Sequence, residues 1–188
     1  AADGRRFFAL DRKRREVHAW TENGEDAGVA FSFAGRKEPF VSLAVHPRSG
    51  DLLLGTGWPE NRICRFRPDG TEVKDPFWPA SGYALTLATS RSGVWALGAG
   101  AALLVESKAA SAQCRFGKFS NVVRAFAETP DGYWLATSQG AQFYHKNDLG
   151  RCARRVGGLA GVGALALHDG RVLVGTGYRM LNFWLDDQ

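Results

Sequence analysis

Four histidines and three cysteines are the side chains best suited to chemistry in this chain. Neither set has the spacing that chemistry asks for. His18, His46, His145 and His168 lie far apart, with no H-E-x-x-H pair among them. Cys64, Cys114 and Cys152 show no C-x-x-C spacing, and three thiols cannot all pair within one chain. A cysteine-based zinc site and a disulfide-stapled fold are therefore not expected. Glu60 and Asn61 are oxygen donors side by side, but a hard cation needs such ligands to converge from several directions. The G-x-S-x-G elbow, the Walker loop and the G-x-G-x-x-G turn are all absent. GLAGVGALA at 158–166 is glycine-rich but opens no helix, so it is not a phosphate cradle. No catalytic, cofactor-binding or metal-binding residue is assigned, and no cofactor is expected.

Basic residues are the second candidate. The segment RKRR, Arg12–Lys13–Arg14–Arg15, is followed by Arg36 and Lys37. Such a cluster attracts anionic partners over several ångströms, in a salt-dependent way. Three aromatic residues, Trp58, Trp78 and Tyr178, stand in glycine- and proline-bearing segments, with Arg179 beside the last. Exposed tryptophan and tyrosine are common anchors at protein interfaces.

What positions these residues is a repeat. Four segments read alike: VSLAVHPRSGDLLLGTG (41–57), ALTLATSRSGVWALGAG (84–100), VRAFAETPDGYWLATSQG (123–140) and GALALHDGRVLVGTG (163–177). Each is an alternating apolar strand, a polar turn ending in glycine, and a second apolar strand ending in small residues. DGRRFFALD (3–11) keeps only the second half. The turn glycines, Gly4, Gly50, Gly93, Gly132 and Gly170, recur about every 40 residues. Glycine is expected there because a tight hairpin needs positive φ. A third strand follows in each copy, at 16–20, 62–67, 102–107, 141–146 and 180–185, and a more polar fourth at 71–77 and 112–119. ALLVESKAASAQ (102–113) has helical propensity, yet it stands where strands three and four belong, and strands are expected.

A unit of four short strands in about 40 residues is the pattern of a β-propeller blade. VVRAFAETPDGYWLATSQGAQFY resembles the repeat of two-component-regulator sensor propellers. GDLLLGTGWPENRICRFRPDG resembles blades of the NHL, SMP-30/gluconolactonase and streptogramin-lyase proteins. The WD and G-H pairs of WD40 blades are missing, so that branch of the WD40-like folds fits less well. The resemblance implies an all-β propeller of about five four-stranded blades, a single domain over 1–188 with repeats at 3–34, 41–77, 84–119, 123–156 and 163–188. The first copy lacks the innermost strand and the last lacks the outermost. The ring is then incomplete, or the chain is part of a larger propeller.

Propeller topology also sorts loops by face. The loops joining strands two and three, and the links between blades, share one face. That face carries nine basic residues: Arg12, Lys13, Arg14, Arg15, Arg36, Lys37, Arg62, Lys118 and Arg179. Its acids are Asp11, Glu16, Glu38 and Glu60, so its excess of five equals the net charge of the whole chain, +5. A solvated hairpin tip would carry RKRR without any partner. Beyond that, the charge fits a protein partner with an acidic surface better than nucleic acid, for which no binding motif is present. The expected function is a non-catalytic interaction scaffold. The resemblance offers two alternatives, a metal-dependent lyase or lactonase and a carbohydrate-binding propeller lectin. Trp95 and Trp134, at matching places in strand two, are expected to be wedged between blades, and Trp20 and Trp184 to pack likewise.

No apolar run approaches the length of a membrane helix. Three unpaired thiols favour the cytoplasm. A chain that starts at Ala1 without methionine leaves export, or excision from a longer chain, open.

Overall fold

The computed structural model describes residues 6–57, 59–60, 62–74, 86–98, 101–105, 113–115, 123–156, 162–168, 171–176 and 180–181. These residues are all strand, turn and coil. The chain divides into two compact units, residues 1–96 with 104–111 and residues 97–103 with 112–188.

The strands of the described residues fall into five consecutive sheets. The first holds β1 (Arg6–Asp11), β2 (Glu16–Thr21) and β3 (Asp26–Ser32). The second holds β4 (Phe40–Val45), β5 (Leu52–Thr56), β6 (Ile63–Phe66) and β7 (Glu72–Val73). The third holds β8 (Thr86–Thr89), β9 (Val94–Leu97), β10 (Ala101–Val105) and β11 (Gln113–Arg115). The fourth holds β12 (Ala125–Glu128), β13 (Gly132–Thr137), β14 (Gly140–His145) and β15 (Arg154–Val156). The fifth holds β16 (Val162–His168), β17 (Arg171–Thr176) and β18 (Met180–Leu181). Within each sheet the strands lie in chain order, which is the meander of a propeller blade. Among the described residues, the first sheet lacks the innermost strand of the repeat and the fifth lacks the outermost. The segment with helical propensity forms β10 and β11 at its two ends.

Within the sheets the strands pair antiparallel, so short turns suffice between them. Gly50 has φ 71° in the β4–β5 turn and Gly93 has φ 148° in the β8–β9 turn, as hairpin geometry requires. Gly132 differs. Its φ is not positive; a Cβ there would run into the Tyr144 carbonyl and come within 2.5 Å of the Phe143 ring. The repeat keeps glycine at this place for close approach rather than for backbone conformation. Gly4 and Gly170 lie outside the described residues.

Period-two alternation sends one set of side chains to each face of a sheet. In the first unit, Phe8, Val17 and Ala19 of the first sheet and Phe33 pack with Phe40, Val45, Leu52, Leu54, Cys64 and Phe66 of the second. Phe33 meets Phe40 edge-on at 4.9 Å, and Phe31 stacks on Phe66 at 5.1 Å. Each fully buried side chain of this size stabilises the fold by about 1.5–3 kcal/mol. In the second unit, Ala127, Trp134, Ala136, Ala141 and Phe143 of the fourth sheet pack with Val162, Val172 and Val174 of the fifth. Trp134 is thus wedged between two blades, and Trp95 is buried as well. Trp20 is half-buried and stacks with His18 at 6.0 Å; Trp184 lies outside the described residues. No helix among the described residues is long and apolar enough to cross a membrane.

Candidate functional site

The basic segment forms the turn between β1 and β2. Asp11 closes it from the N-terminal side. Its Oδ1 accepts the backbone N–H of Lys13 at 2.9 Å and of Arg14 at 2.8 Å. These bonds, that from Arg14 above all, hold the Asp11 carboxyl below its ordinary pKa. Arg15 closes the other side in the left-handed region, with φ 61°. Between these two fixed points Arg12, Lys13 and Arg14 are exposed. Only Arg14 leans back, to 3.9 Å from Asp11.

Arg15 is turned inward. Its carbonyl accepts the Phe33 N–H at 2.9 Å. Its Nη2 donates to the Arg36 carbonyl, and reaches the Glu38 carbonyl at 3.4 Å. One side chain therefore ties the basic turn to the link between the first and second sheets. That link holds Lys37, which is exposed.

Beneath the link lies an ion-pair network. Arg36 donates from Nη1 to Glu72 at 2.7 Å and from Nη2 to Glu38 at 3.4 Å. Its guanidinium sits over the rings of Phe40 and Phe66, 5.6 and 5.5 Å from their centroids. Arg62 pairs with the same Glu38 oxygen. The Glu72 bond holds Arg36 even more firmly protonated than usual. The loop that carries Arg62 is closed by Thr56, whose hydroxyl accepts the Arg62 N–H at 2.8 Å. Cys64 lies below Arg36, its Sγ 3.9 Å from Nη2, and burial raises its pKa.

The residues named from the sequence thus separate into two kinds. Arg12, Lys13, Arg14 and Lys37 face solvent. Arg15 and Arg36 are spent inside, as clamp and as ion-pair partner. The sequence reading treated all six alike; burial and the acids around them make the difference. Glu72 was not singled out, because it comes from an outer strand, 36 residues from Arg36. Trp58, Trp78, Tyr178 and Arg179 lie outside the described residues, as do Asn61 and Lys118.

Among the described residues the candidates for catalysis do not converge. No group of three or more His, Cys, Asp or Glu able to hold a metal exists among the described residues. Glu60 is exposed. His46 belongs to the β4–β5 turn, where Nδ1 lies 3.2 Å from the Ser49 N–H and hydroxyl. His18 faces Glu16 at 3.2 Å.

No family model matches the chain, and no curated protein sequence matches it. Solved structures do. The chain is similar to the WD40 β-propeller domain of Doa1, with a TM-score of 0.63 and 14% identity over 95% of this chain and 60% of that one. It is similar to the extracellular domain of the putative one component system BT4673 from B. thetaiotaomicron, with a TM-score of 0.57 and 15% identity over 93% and 25%. Virginiamycin B lyase from Staphylococcus aureus gives 0.52 and 12% over 76% and 50%. The chain spans 60% or less of each of these three. At such identity the likeness is one of fold, and it joins the strand order and the repeat in a single result: the chain has the β-propeller fold.

Proposed function

We propose that this chain is a non-catalytic protein-interaction module, a single domain over 1–188 that docks an acidic protein segment on the face carrying the basic turn. One observation carries the reading. Arg12, Lys13 and Arg14 are exposed on a turn whose backbone is held at both ends by Asp11 and Arg15. The acids nearby are already engaged: Glu38 and Glu72 by arginine, Glu16 by His18, Asp11 by the turn amides. The outward charge is therefore positive. A backbone ordered in advance spares a ligand the cost of ordering it. Lys37, on the clamped link, extends the same charge. Trp58, Trp78 and Tyr178 remain proposed as its aromatic anchors, and Arg179 as a further electrostatic contact.

The test uses three probes of defined chemistry: a labelled oligo-glutamate peptide, an uncharged glycine–serine peptide and a single-stranded oligonucleotide of matched charge. Binding is measured by anisotropy at low and high salt. The acidic peptide is expected to bind best, and the Arg12→Ser/Lys13→Ser/Arg14→Ser variant to lose affinity on the order of tenfold. Equal binding by the variant overturns the reading, and tighter binding of the oligonucleotide reassigns the face to nucleic acid.

A further inference from the structure

Among the described residues, three buried side-chain nitrogens have no hydrogen-bond partner: Arg36 Nε, Arg62 Nε and Gln142 Nε2. The two arginines are accounted for, since their guanidinium groups pair through Nη with Glu38 and Glu72. Gln142 is not. It is only 1% exposed, and a buried donor without an acceptor is costly.

Gln142 and Tyr144 stand two residues apart on β14, so they share one face. Phe143 points to the other, into the core with Val172 and Val174. The Gln142 amide is held by its oxygen, which accepts the Tyr144 hydroxyl at 2.9 Å. Beside that hydroxyl lies the Cys152 thiol, a side-chain hydrogen-bond partner of Tyr144. The segment carrying Cys152 is fixed against β14 by the bond from the Ala153 N–H to the Phe143 carbonyl at 2.9 Å. Cys152 is a free thiol and half-buried. Its S–H donates to the Arg154 carbonyl, with Sγ 3.0 Å from the oxygen. An accessible thiol thus stands beside a buried amide with a donor to spare.

We propose that Cys152 is an oxidation site, where hydrogen peroxide converts the thiol to a sulfenic acid held by the Arg154 carbonyl and the Gln142 amide. The sulfur, as thiolate, attacks one peroxide oxygen. An S–O bond forms, the O–O bond breaks, and the leaving hydroxide takes up the proton that the thiol released, as water. Sulfur loses two electrons and the peroxide gains them. The product has one O–H to donate and an oxygen that accepts. The Arg154 carbonyl, which now accepts the S–H, accepts that O–H instead. The sulfenic oxygen is the acceptor that Gln142 Nε2 lacks. Only a small group suits this place, because Gln142 and Tyr144 are both buried. One added oxygen reaches the amide, whereas a bulky adduct stays at the half-exposed rim.

The full chain is treated with hydrogen peroxide and then with dimedone, and the labelled cysteine is mapped by mass spectrometry. The label is expected on Cys152. Gln142→Met removes the donor at similar size, and is expected to shorten the lifetime of the sulfenic acid about fivefold, the worth of one hydrogen bond. Its alkylation by iodoacetamide is expected to keep the wild-type rate, since access to the thiol does not need the donor. In the wild-type chain the Gln142 side-chain amide resonance is expected to move on oxidation and to return on reduction, a readout that needs no variant. No label on Cys152 overturns the proposal, as does an amide resonance that ignores oxidation or an unchanged lifetime in Gln142→Met. Alkylation and sulfenic decay that speed up together in the variant would show that Gln142 only closes the site, which also overturns it.

Discussion

Arg15 donates from its guanidinium to the backbone carbonyl of Arg36, and so couples the basic turn to the link between the first two sheets. It does this from a left-handed backbone, which costs a side chain with a Cβ about 1 kcal/mol. The clamp must exceed that cost, and two variants separate the terms. Arg15→Gly removes the guanidinium and the strain together, and is expected to destabilise by about 1 kcal/mol. Arg15→Ala removes the guanidinium and keeps the strain, and is expected to cost about 2 kcal/mol. Urea denaturation measures both, and the difference reads the backbone cost directly.

Arg36 is more than a charge, since it covers two phenylalanine rings and holds Glu72. Arg36→Ala is expected to destabilise by about 2 kcal/mol, with part of the loss coming from packing. Glu38 keeps Arg62 in that variant, whereas Glu72 loses its bond to Arg36. A double-mutant cycle with Glu72→Gln is expected to give a coupling of about 1 kcal/mol, reduced from the fully buried value because Glu72 is 36% exposed. A coupling near zero would leave the aromatic contacts as the reason for Arg36.

The fold was legible because period-two alternation and recurring glycine turns act locally. LLLGT and VLVGT announce their strands without any knowledge of their neighbours. Segment 102–113 shows how repeat position outweighs propensity, since it yields strands at both ends. The site was legible only in part. The hairpin tip could be read, because a run of four basic residues between two strands has few places to go. The roles of Arg15 and Arg36 could not, because they depend on where the β3–β4 link and β7 fall in three dimensions. Nothing in the local sequence of Arg36 names Glu72 as its partner. Gly132 was found for an incomplete reason: its place in the repeat is real, but its neighbours come from β14.

That distinction between glycines can be measured. Gly50 has φ 71° and open space around it, so Gly50→Ala is expected to cost only its backbone strain, about 1 kcal/mol. Gly132→Ala must push a methyl against the Tyr144 carbonyl and the Phe143 ring, and is expected to cost about 3 kcal/mol. Thermal denaturation of the two variants ranks them. A reversed order would mean that β13 and β14 separate easily.

The thiols should differ in reactivity. Burial covers Cys64 and raises its pKa, so little thiolate forms at neutral pH. Cys152 is only half-buried, with Sγ 3.0 Å from the Arg154 carbonyl. In a Cys114→Ser background, a disulfide reagent is expected to modify Cys152 first and Cys64 only on unfolding. Fast modification of both would show that the core beneath Arg36 opens readily.

Tyr144 supplies the alkaline limit. It is buried, and its hydroxyl donates to Gln142 Oε1 at 2.9 Å. Burial disfavours the phenolate and raises its pKa from 10.0 to about 12. Below pH 10 the folded and unfolded chains both hold this proton, and its contribution to stability is fully present. Between pH 10 and 12 the folded chain keeps a proton that the unfolded chain has released, so rising pH draws the equilibrium toward unfolding. Tyr144→Phe is expected to lower stability at neutral pH by about 1–2 kcal/mol, because Gln142, itself fully buried, loses a donor. The same variant should flatten the alkaline fall. Urea midpoints measured from pH 8 to pH 12 for both proteins test the sign: their difference should shrink above pH 10. A constant difference would mean that the Tyr144 ring titrates as it does in water.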